Sequence, residues 1–199
     1  MARSAARDSA LKEASTGLFS RKVEKPVPPS AWFTWHAGLF RPGVRALDVA
    51  CGSGRHALVA AEAGAEVVAV DQDHDRIKAL AKEASKRSLR VHAVEADLST
   101  WSFELGAYDV VMVFNYLDRA RASDMLAAVR PGGHFLAETF LAAQRMQGWG
   151  PTQDAHLLEP GELSRMVDGF ELILGREVIE MIDGRPAAMA SVLAQRPPQ

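Results

Sequence analysis

The stretch "LDVACGSGRH", from Leu47 to His56, combines an apolar run, an aspartate and two closely spaced glycines. Gly52 and Gly54 allow the backbone to turn sharply and to bring a ligand close to main-chain amides at the start of a helix. Asp48, near the end of the apolar run, would repel a phosphate but would favour an amino group on a ligand. The stretch therefore indicates a nucleotide-type ligand and leaves its identity open.

The composition predicts one ordinary soluble domain. The chain has 199 residues, of which 48% are hydrophobic and 24% charged, and its net charge is -2. This charge provides no basic surface for a nucleic acid or an anionic membrane, and no stretch approaches the roughly 18 apolar residues of a membrane span. The single cysteine, Cys51, cannot form an internal disulfide and fits a reducing compartment. We therefore expect a cytoplasmic protein that binds neither nucleic acid nor membrane.

Residues 1–28 differ in composition from the rest of the chain. They are rich in alanine, serine, arginine and lysine, and a short helix is predicted over Ala5–Ala14. Pro26, Pro28 and Pro29 favour an extended approach to the following segment. We expect residues 1–28 to form a flexible extension and residues 29–199 to form one domain.

Strand-like and helix-like segments alternate from Gly43 onward, which is typical of a mainly parallel sheet with helices on both faces. The predicted strands are Val44–Val49, Glu66–Val70, Arg90–Val94, Tyr108–Phe114 and, after a turn at "RPGG", Gly133–Glu138. The predicted helices are Gly54–Ala63, Asp73–Lys86, Arg119–Val129 and Pro160–Val167. Glu171–Met181 and Pro186–Ala194 flank "DGRP" and predict a closing hairpin. The sequence thus predicts a single α/β domain with a doubly wound, mainly parallel seven-stranded sheet that ends in an antiparallel hairpin.

The glycine turn alone does not identify the ligand. "GSGRHA" satisfies the loose dinucleotide fingerprint, and Asp71 follows at about the distance of an acid that binds ribose hydroxyls. These features would suit an NAD-dependent oxidoreductase. Asp48 and the lack of a recognisable catalytic Tyr/Lys or His/Asp pair count against that class, since Asp48 favours the amino group of a bound amino acid.

Five motifs, taken in order, resemble those of the class I S-adenosylmethionine-dependent methyltransferases. They are "LDVACGSG", "VVAVDQD", "VEADL", "YDVVMVFNYL" and "RPGGHFLAETF", and the resemblance covers about Pro29–Ala194. It implies a Rossmann-like methyltransferase fold and S-adenosyl-L-methionine as cofactor, with Asp71 on the ribose and Asp97 on the adenine amino group. One departure is Cys51, which we interpret as standing where the family commonly has glycine. "ACGSGRHAL", "NYLDR", "ETF" and "HLLEPGEL" are further similar to small bacterial tellurite-resistance-type methyltransferases.

This resemblance and the predicted strand ends define the candidate site. The residues expected to bind the cofactor are Asp48, Ala50, Gly52, Gly54, Asp71, Gln72, Asp97, Leu98, Phe114 and Asn115. Tyr116 and Glu138 are expected to contact the methyl acceptor or a proton that it loses, and Arg145 is expected to hold a negative charge on the acceptor. The six histidines lack the spacing of metal ligands, so no metal is predicted.

The expected reaction is methyl transfer to a small-molecule acceptor, for which the finer resemblance suggests a soft anion or a thiol. A non-catalytic S-adenosylmethionine-binding protein is an alternative from another class. The protein is expected to be a monomer or a homodimer. Two further features each allow two interpretations. The aromatic cluster "PSAWFTWH", Pro29–His36, is either a lid over the site or part of the core. His56 is either a packing residue or a catalytic residue, and its position suits packing better.

Overall fold

Seven strands and five α-helices follow one another in residues 27–198, the part of the chain that the computed structural model describes. The strands are β1 (Arg45–Val49), β2 (Glu66–Asp71), β3 (Val91–Glu95), β4 (Tyr108–Phe114), β5 (Val129–Phe140), β6 (Glu171–Ile182) and β7 (Arg185–Gln195). The α-helices are α1 (Ala31–Trp35), α2 (Arg55–Glu62), α3 (His74–Lys86), α4 (Ala122–Ala128) and α5 (Glu162–Met166). The helix predicted over Ala5–Ala14, and all of the predicted extension except Val27 and Pro28, lie outside the described residues.

The strands form one sheet in the order β3-β2-β1-β4-β5-β7-β6. β1 pairs in parallel with β2 and β4, β2 with β3, and β4 with β5, whereas β7 runs antiparallel to both β5 and β6. This confirms the predicted mainly parallel seven-stranded sheet with an antiparallel hairpin. The strand order reverses between β1 and β4, so a crevice opens there at the carboxyl ends of the strands.

The core has two layers, one on each face of the sheet. Along β4, Val111 and Val113 pack on the face that α4 and α5 cover, while Met112 and Phe114 pack on the face that α1, α2 and α3 cover. A strand buried on both faces needs apolar residues at every position, which explains the uninterrupted "VVMVF" run.

The turn between β6 and β7 determines where the end of this hairpin lies. Asp183 and Gly184 have φ angles of 50° and 76°. Two consecutive left-handed residues are characteristic of the two-residue turns that join twisted antiparallel strands, and Asp-Gly is a favoured pair. The hairpin predicted around "DGRP" is confirmed, and Asp183 is held at its tip.

Two boundaries near β5 differ from the prediction. α4 begins at Ala122 and not at Arg119, because the Asp118 carboxylate accepts hydrogen bonds from the backbone N–H groups of Ala120 and Arg121 and holds a turn there. β5 begins at Val129 and so contains the predicted "RPGG" turn; the register with β4 shifts at this point and Gly132 has a φ of 74°. The glycines therefore form an irregularity within the strand.

The cluster "PSAWFTWH" contains a short helix that the sequence did not predict. Ser30 caps α1, since its Oγ accepts a hydrogen bond from the Phe33 N–H at 3.0 Å. Trp32 and Phe33 are completely buried, and the Trp32 Nε1–H donates to the Val192 carbonyl at 3.3 Å. Core packing is thus the interpretation that the structure supports for these two residues, whereas Trp35 is 65% exposed.

Candidate active site

A cleft runs along the carboxyl ends of β1, β2, β4 and β5 and consists of three adjoining cavities. The β2 cavity, about 310 Å³, is lined by Asp71, Gln72, Asp97 and Leu98. The glycine-loop cavity, about 460 Å³, is lined by Gly52, Arg55 and Phe114. The hairpin cavity, about 300 Å³, is lined by Glu138, Trp149 and the end of the β6–β7 hairpin. Asn115, directly after β4, lines all three.

The turn after β1 brings backbone atoms to the edge of the cleft. Ala50 has a φ of 55°, a left-handed conformation that glycine adopts without strain, whereas Cys51 has no positive φ. The interpretation of Cys51 as the replaced glycine was therefore wrong: the position with glycine-like geometry is Ala50. Because the alanine side chain is a single methyl group, Ala50 still leaves room for a ligand beside the turn.

Gly54 has a different role from the one predicted. It precedes α2, with a φ of 76°, and a Cβ atom built on it would lie 2.3 Å from the Leu80 Cδ1 atom of α3. Gly54 lines none of the three cavities. The structure thus assigns Gly54 to the close packing of α2 against α3, whereas Gly52 and Ala50 line the cleft.

The Asp71 carboxylate at the end of β2 is fixed by backbone hydrogen bonds. Its Oδ2 accepts from the Gly52 N–H at 2.8 Å and its Oδ1 accepts from the Asp73 N–H at 3.0 Å. Each carboxylate oxygen can accept more than one hydrogen bond, so both oxygens can still take a hydroxyl from a ligand in the β2 cavity. The acid and the glycine turn are therefore held in one arrangement.

Asp97 and Leu98 form the next part of the β2 cavity. The Asp97 Oδ1 accepts a hydrogen bond from the Ser99 N–H at 2.9 Å. Hydrogen bonding from Ser99 lowers the pKa of Asp97, so this carboxylate is ionised near neutral pH and can accept a hydrogen bond from an amino group. Leu98 is almost fully buried and supplies an apolar surface next to it.

Asp48 lies beneath the glycine turn and is only 1% exposed. Its Oδ2 has no hydrogen-bond partner among residues 27–198. Burial raises the pKa of Asp48 to about 7, although the Ala57 backbone amide and the charge of Arg55 act in the opposite direction. Asp48 borders none of the three cavities, so a cationic group above the turn would interact with it through the field or through water.

Glu138 is the buried acid of the hairpin cavity, with 2% of its surface exposed. Its Oε2 accepts hydrogen bonds from the Ser191 hydroxyl at 2.9 Å and from the Arg176 Nη2 at 3.2 Å. Burial raises the pKa of Glu138, and the hydrogen bonds from Ser191 and Arg176 partly oppose this effect. Both hydrogen bonds thus hold the carboxylate through the same oxygen, Oε2.

Arg176 is itself held between several groups. The same Nη2 atom donates to Glu180 at 3.0 Å, and the guanidinium carbon lies 5.0 Å from the ring centre of Trp32 and 4.8 Å from that of Trp35. Cation–π contacts of this kind restrict the orientation of the guanidinium. Arg176 therefore links α1 to the position of the Glu138 side chain.

The structure separates the two residues that were predicted to meet the acceptor. Tyr116 lines the β2 cavity, and its hydroxyl donates to the Asp118 Oδ2 at 3.3 Å. Burial and the charge of Asp118 raise the pKa of Tyr116 to about 12, so the phenol is neutral. Glu138 lines the hairpin cavity, and the two residues share only a small apolar cavity of about 30 Å³.

The structure does not bring Arg145 to the cleft. Its guanidinium forms an ion pair with Asp154, and its Nε donates to the Thr152 carbonyl at 3.0 Å. Trp149, from the same loop, lines the hairpin cavity instead, and its Nε1–H donates to the Pro186 carbonyl at 2.6 Å. Gln144 fixes this loop, because its side chain bonds to both the Trp149 carbonyl and the Ala188 N–H.

Three arginines were missed in the sequence analysis: Arg55 and Arg76, which line the cleft, and Arg176, which contacts Glu138. Arg55 lines both the glycine-loop and the hairpin cavities, and its Nη1 donates to the Pro28 carbonyl at 3.2 Å. Its place immediately after the glycine turn was a usable signal. Arg176 had no such signal, because it lies inside a predicted strand and reaches Glu138 only through the pairing of β6 with β7 and of β7 with β5.

His56 packs within the core. Its Nε2 accepts a hydrogen bond from the Ser30 N–H at 3.2 Å, and its ring centre lies 4.0 Å from that of Phe114. Burial lowers the pKa of His56 to about 3, so the ring is neutral. These contacts confirm the packing interpretation and attach the start of α1 to α2.

Residues 27–198 contain neither a metal-binding cluster nor a membrane-spanning helix. No cluster of three or more histidine, cysteine, aspartate or glutamate side chains is arranged to hold a metal ion. None of the helices in this part of the chain has the length and apolar character needed to cross a membrane.

Comparisons with known proteins agree with this geometry. The family described as "Methyltransferase domain" matches residues 46–133. A ribosomal protein L11 methyltransferase from Symbiobacterium thermophilum is 33% identical over 144 residues, which are 70% of this chain and 46% of that protein. A ubiquinone biosynthesis O-methyltransferase from Idiomarina loihiensis is 29% identical over 164 residues, 68% of this chain and 63% of that protein. The chain spans about half the length of the first of these relatives.

The fold is also similar to the folds of solved structures. The crystal structure of TehB from Haemophilus influenzae has a TM-score of 0.73 at 19% identity, and the match covers 84% of this chain and 62% of that one. The ordered motifs, the reversal of strand order at the cleft and the sequence matches converge on one family. These findings support a class I S-adenosylmethionine-dependent methyltransferase with S-adenosyl-L-methionine as its cofactor.

Proposed function

We propose that this protein transfers the methyl group of S-adenosyl-L-methionine to a small-molecule acceptor bound in the hairpin cavity. The observation that carries the proposal is the position of Asn115, which lines all three cavities and whose N–H donates to the Glu138 carbonyl at 2.8 Å. This contact joins the cofactor side of the cleft directly to a second, separate cavity. Two molecules bound side by side are what a group transfer requires.

The residues of the cleft fit the cofactor. Asp71 and Gln72 offer acceptors for ribose hydroxyls, and Asp97 and Leu98 offer a polar and an apolar contact for adenine. The unpaired Oδ2 of buried Asp48 supports an adjacent ammonium group, because such a group would compensate a buried carboxylate. When bound, S-adenosyl-L-methionine supplies an electrophilic methyl group attached to a sulfonium sulfur.

The protein's own contribution to the reaction is positional and acid–base. Trp149, Phe140 and Pro29 form apolar walls of the hairpin cavity and would exclude water from the acceptor. Glu138 would accept the proton that the acceptor loses, because Ser191 and Arg176 hold its Oε2 and leave Oε1 without a partner among the hydrogen bonds of residues 27–198. Tyr116 would contact the cofactor side of the cleft and not the acceptor.

A soft anion or thiol remains the acceptor suggested by the resemblance to tellurite-resistance-type methyltransferases. The physical support for an anion was Arg145, and its guanidinium is paired with Asp154 outside the cleft. The likeness to TehB supports the fold alone, since the identity is 19%. The names of the curated relatives point to acceptors as different as a ribosomal protein and a ubiquinone precursor, so they favour no single class.

Calorimetry with S-adenosylhomocysteine and with NAD tests the cofactor side of the proposal. We expect micromolar affinity for S-adenosylhomocysteine and no measurable heat with NAD. The opposite result would favour an oxidoreductase. Release of S-adenosylhomocysteine in the presence of an acceptor then separates an enzyme from a protein that only binds the cofactor.

A further inference from the structure

The hairpin cavity carries an excess of negative charge. Among residues 27–198, the charged side chains that line it are Glu138, Glu180, Asp183 and Arg55. The three carboxylates come from two directions, because Glu138 lies on β5 and the other two lie at the end of the β6–β7 hairpin. A cavity with this balance favours a cationic guest over an anionic one.

The two guanidinium groups at this cavity are already engaged. Arg55 donates to the Pro28 carbonyl and interacts with the charges of Glu138, Asp48 and Asp183. Arg176, which does not line the cavity, donates to Glu138 and Glu180. An anionic acceptor would therefore have to compete with carboxylates that belong to the protein.

One acceptor position in the cavity is left for a ligand that donates a hydrogen bond. Glu138 is 2% exposed, and its Oε2 takes the hydrogen bonds from Ser191 and Arg176. No hydrogen bond among residues 27–198 uses Oε1, so a ligand N–H could donate to the free oxygen of this largely buried residue. Trp149 and Phe140 add aromatic faces, which attract ammonium groups more than carboxylates.

We infer that the methyl acceptor is a protonatable amine that binds with its nitrogen beside Glu138. The inference rests on the methyl transfer proposed above. The cavity volume of about 300 Å³ suits a small amine or the amino end of a peptide, and both present the same nitrogen chemistry.

The chemical step balances without a further reactant. The amine binds as the ammonium ion and transfers one proton to the Glu138 carboxylate, and the neutral nitrogen then attacks the methyl carbon with its lone pair. A nitrogen–carbon bond forms while the carbon–sulfur bond breaks, and the sulfur keeps the electron pair of that bond. The methylated nitrogen now carries the positive charge, which the Glu180 and Asp183 carboxylates stabilise until the product leaves.

A matched ligand series tests the inference on protein saturated with S-adenosylhomocysteine. Benzylamine, benzyl alcohol, benzyl thiol and benzoate share one skeleton and differ in the group presented to Glu138. We expect benzylamine to bind at least ten-fold more tightly than benzoate, and, with S-adenosyl-L-methionine, to be the member that releases S-adenosylhomocysteine. A peptide with a free amino terminus and its N-acetylated twin show whether the amine comes from a small molecule or from a polypeptide.

The variant Asp183→Asn reports on the charge. Asparagine keeps the left-handed turn, so the hairpin should fold normally. We expect the preference for benzylamine over benzoate to fall about five-fold, as for the loss of one partly exposed ion pair. Glu171→Gln, at the exposed start of β6 and away from the cavity, is the control and should leave the preference unchanged.

The outcomes separate this inference from the proposed function. Tighter binding of benzoate or benzyl thiol, an unchanged preference in Asp183→Asn, or no binding by any amine overturns the amine assignment while methyl transfer stands. Binding of the free-amine peptide alone supports the amine chemistry and assigns it to a polypeptide. If the protein does not bind S-adenosylhomocysteine in the first titration, the proposed function itself fails. Glu180→Gln provides a second charge variant should Asp183→Asn not fold.

Discussion

Asp71 fixes the backbone around the cofactor cleft with both of its carboxylate oxygens. Its hydrogen bonds to the Gly52 and Asp73 N–H groups connect the turn after β1 to the start of α3. The Asp71 side chain therefore holds the turn after β1 in place, and the backbone of that turn would also contact the cofactor. Loss of the carboxylate removes ligand hydrogen bonds and the support of the turn together.

We predict that Asp71→Ala weakens the binding of S-adenosylhomocysteine by roughly 1 to 3 kcal/mol, the cost of losing hydrogen bonds to a charged group. Calorimetry measures the change. Asp75→Asn, an exposed substitution in the first turn of α3, is the matched control and should bind normally. Equal affinities for wild type and Asp71→Ala would show that the ribose lies elsewhere.

Glu138 can be tested as a base through the pH dependence of turnover. The charged groups around it are Arg176 and Glu180 on β6 and Arg55 on α2. Burial raises the pKa of Glu138, and only the ionised form accepts a proton, so activity should fall as the pH is lowered through that raised pKa. We predict that Glu138→Gln lowers kcat by about 100-fold and removes this acidic limb.

The affinity of Glu138→Gln for S-adenosylhomocysteine should equal that of wild type, because Glu138 lines the hairpin cavity and not the β2 cavity. An unchanged kcat, or an acidic limb that persists in the variant, would assign Glu138 to structure alone. Steady-state assays between about pH 5 and 9 distinguish these results.

Individual site residues could be predicted from the sequence where the fold fixes them locally. Asp71 ends β2, Asp97 and Asn115 follow β3 and β4, and the motif spacing alone brings them to one edge of the sheet. Arg145 was misplaced because the path of a long loop depends on contacts, such as those of Gln144, that no local pattern reports.

At the scale of elements, burial on both faces made β4 the easiest strand to predict, and its bounds agree with the structure at both ends. The two boundaries near β5 that differ lie where a single side chain or a glycine changes the local geometry. Asp118 delays the start of α4, and the glycines of "RPGG" continue β5 with a shift in register. Such effects depend on φ angles and hydrogen bonds that hydrophobic periodicity does not encode.

α1 provides a prediction about the aromatic cluster. Trp32 is completely buried, whereas Trp35 is 65% exposed and contacts Arg176 from the outside. We predict that Trp32→Ala lowers the free energy of unfolding by about 3 to 5 kcal/mol through the cavity it leaves, and that Trp35→Ala changes it by less than about 1 kcal/mol.

Urea unfolding of the two variants measures this difference. The pair is well matched, because both tryptophans lie on the same five-residue helix and both contact Arg176. Similar losses for the two variants would mean that α1 is not anchored through Trp32. Trp32→Ala with wild-type stability would favour the lid interpretation.

At the scale of the whole molecule, the sheet could be predicted because alternating segments and right-handed crossovers leave few arrangements. The crevice follows from the reversal of strand order between β1 and β4. The hairpin cavity could not be predicted in this way. It is built from residues near Pro28, from β5 and from the β6–β7 hairpin, which come together only in the folded chain.

Asp48 connects the cofactor site to the stability of the whole protein. Burial raises its pKa from 3.8 to about 7, so the folded state without cofactor disfavours the ionised form. The free-energy cost of ionising buried Asp48 is absent below the pKa of this residue in the unfolded state. The cost grows as the pH rises from about 4 to 7 and is complete above about 7. Stability without cofactor should therefore decline across this range.

We predict that, relative to Asp48→Asn, the wild-type protein loses about 2 to 3 kcal/mol of unfolding free energy between about pH 5 and pH 8. The comparison with asparagine cancels the contributions of all other titrating groups, since only the residue at position 48 differs. Urea unfolding at several pH values, without cofactor, measures the difference. Saturation with S-adenosyl-L-methionine should reduce it, because an ammonium group near Asp48 favours the carboxylate. A wild-type minus variant difference that does not change with pH would show that Asp48 titrates normally and that its burial is matched by a partner.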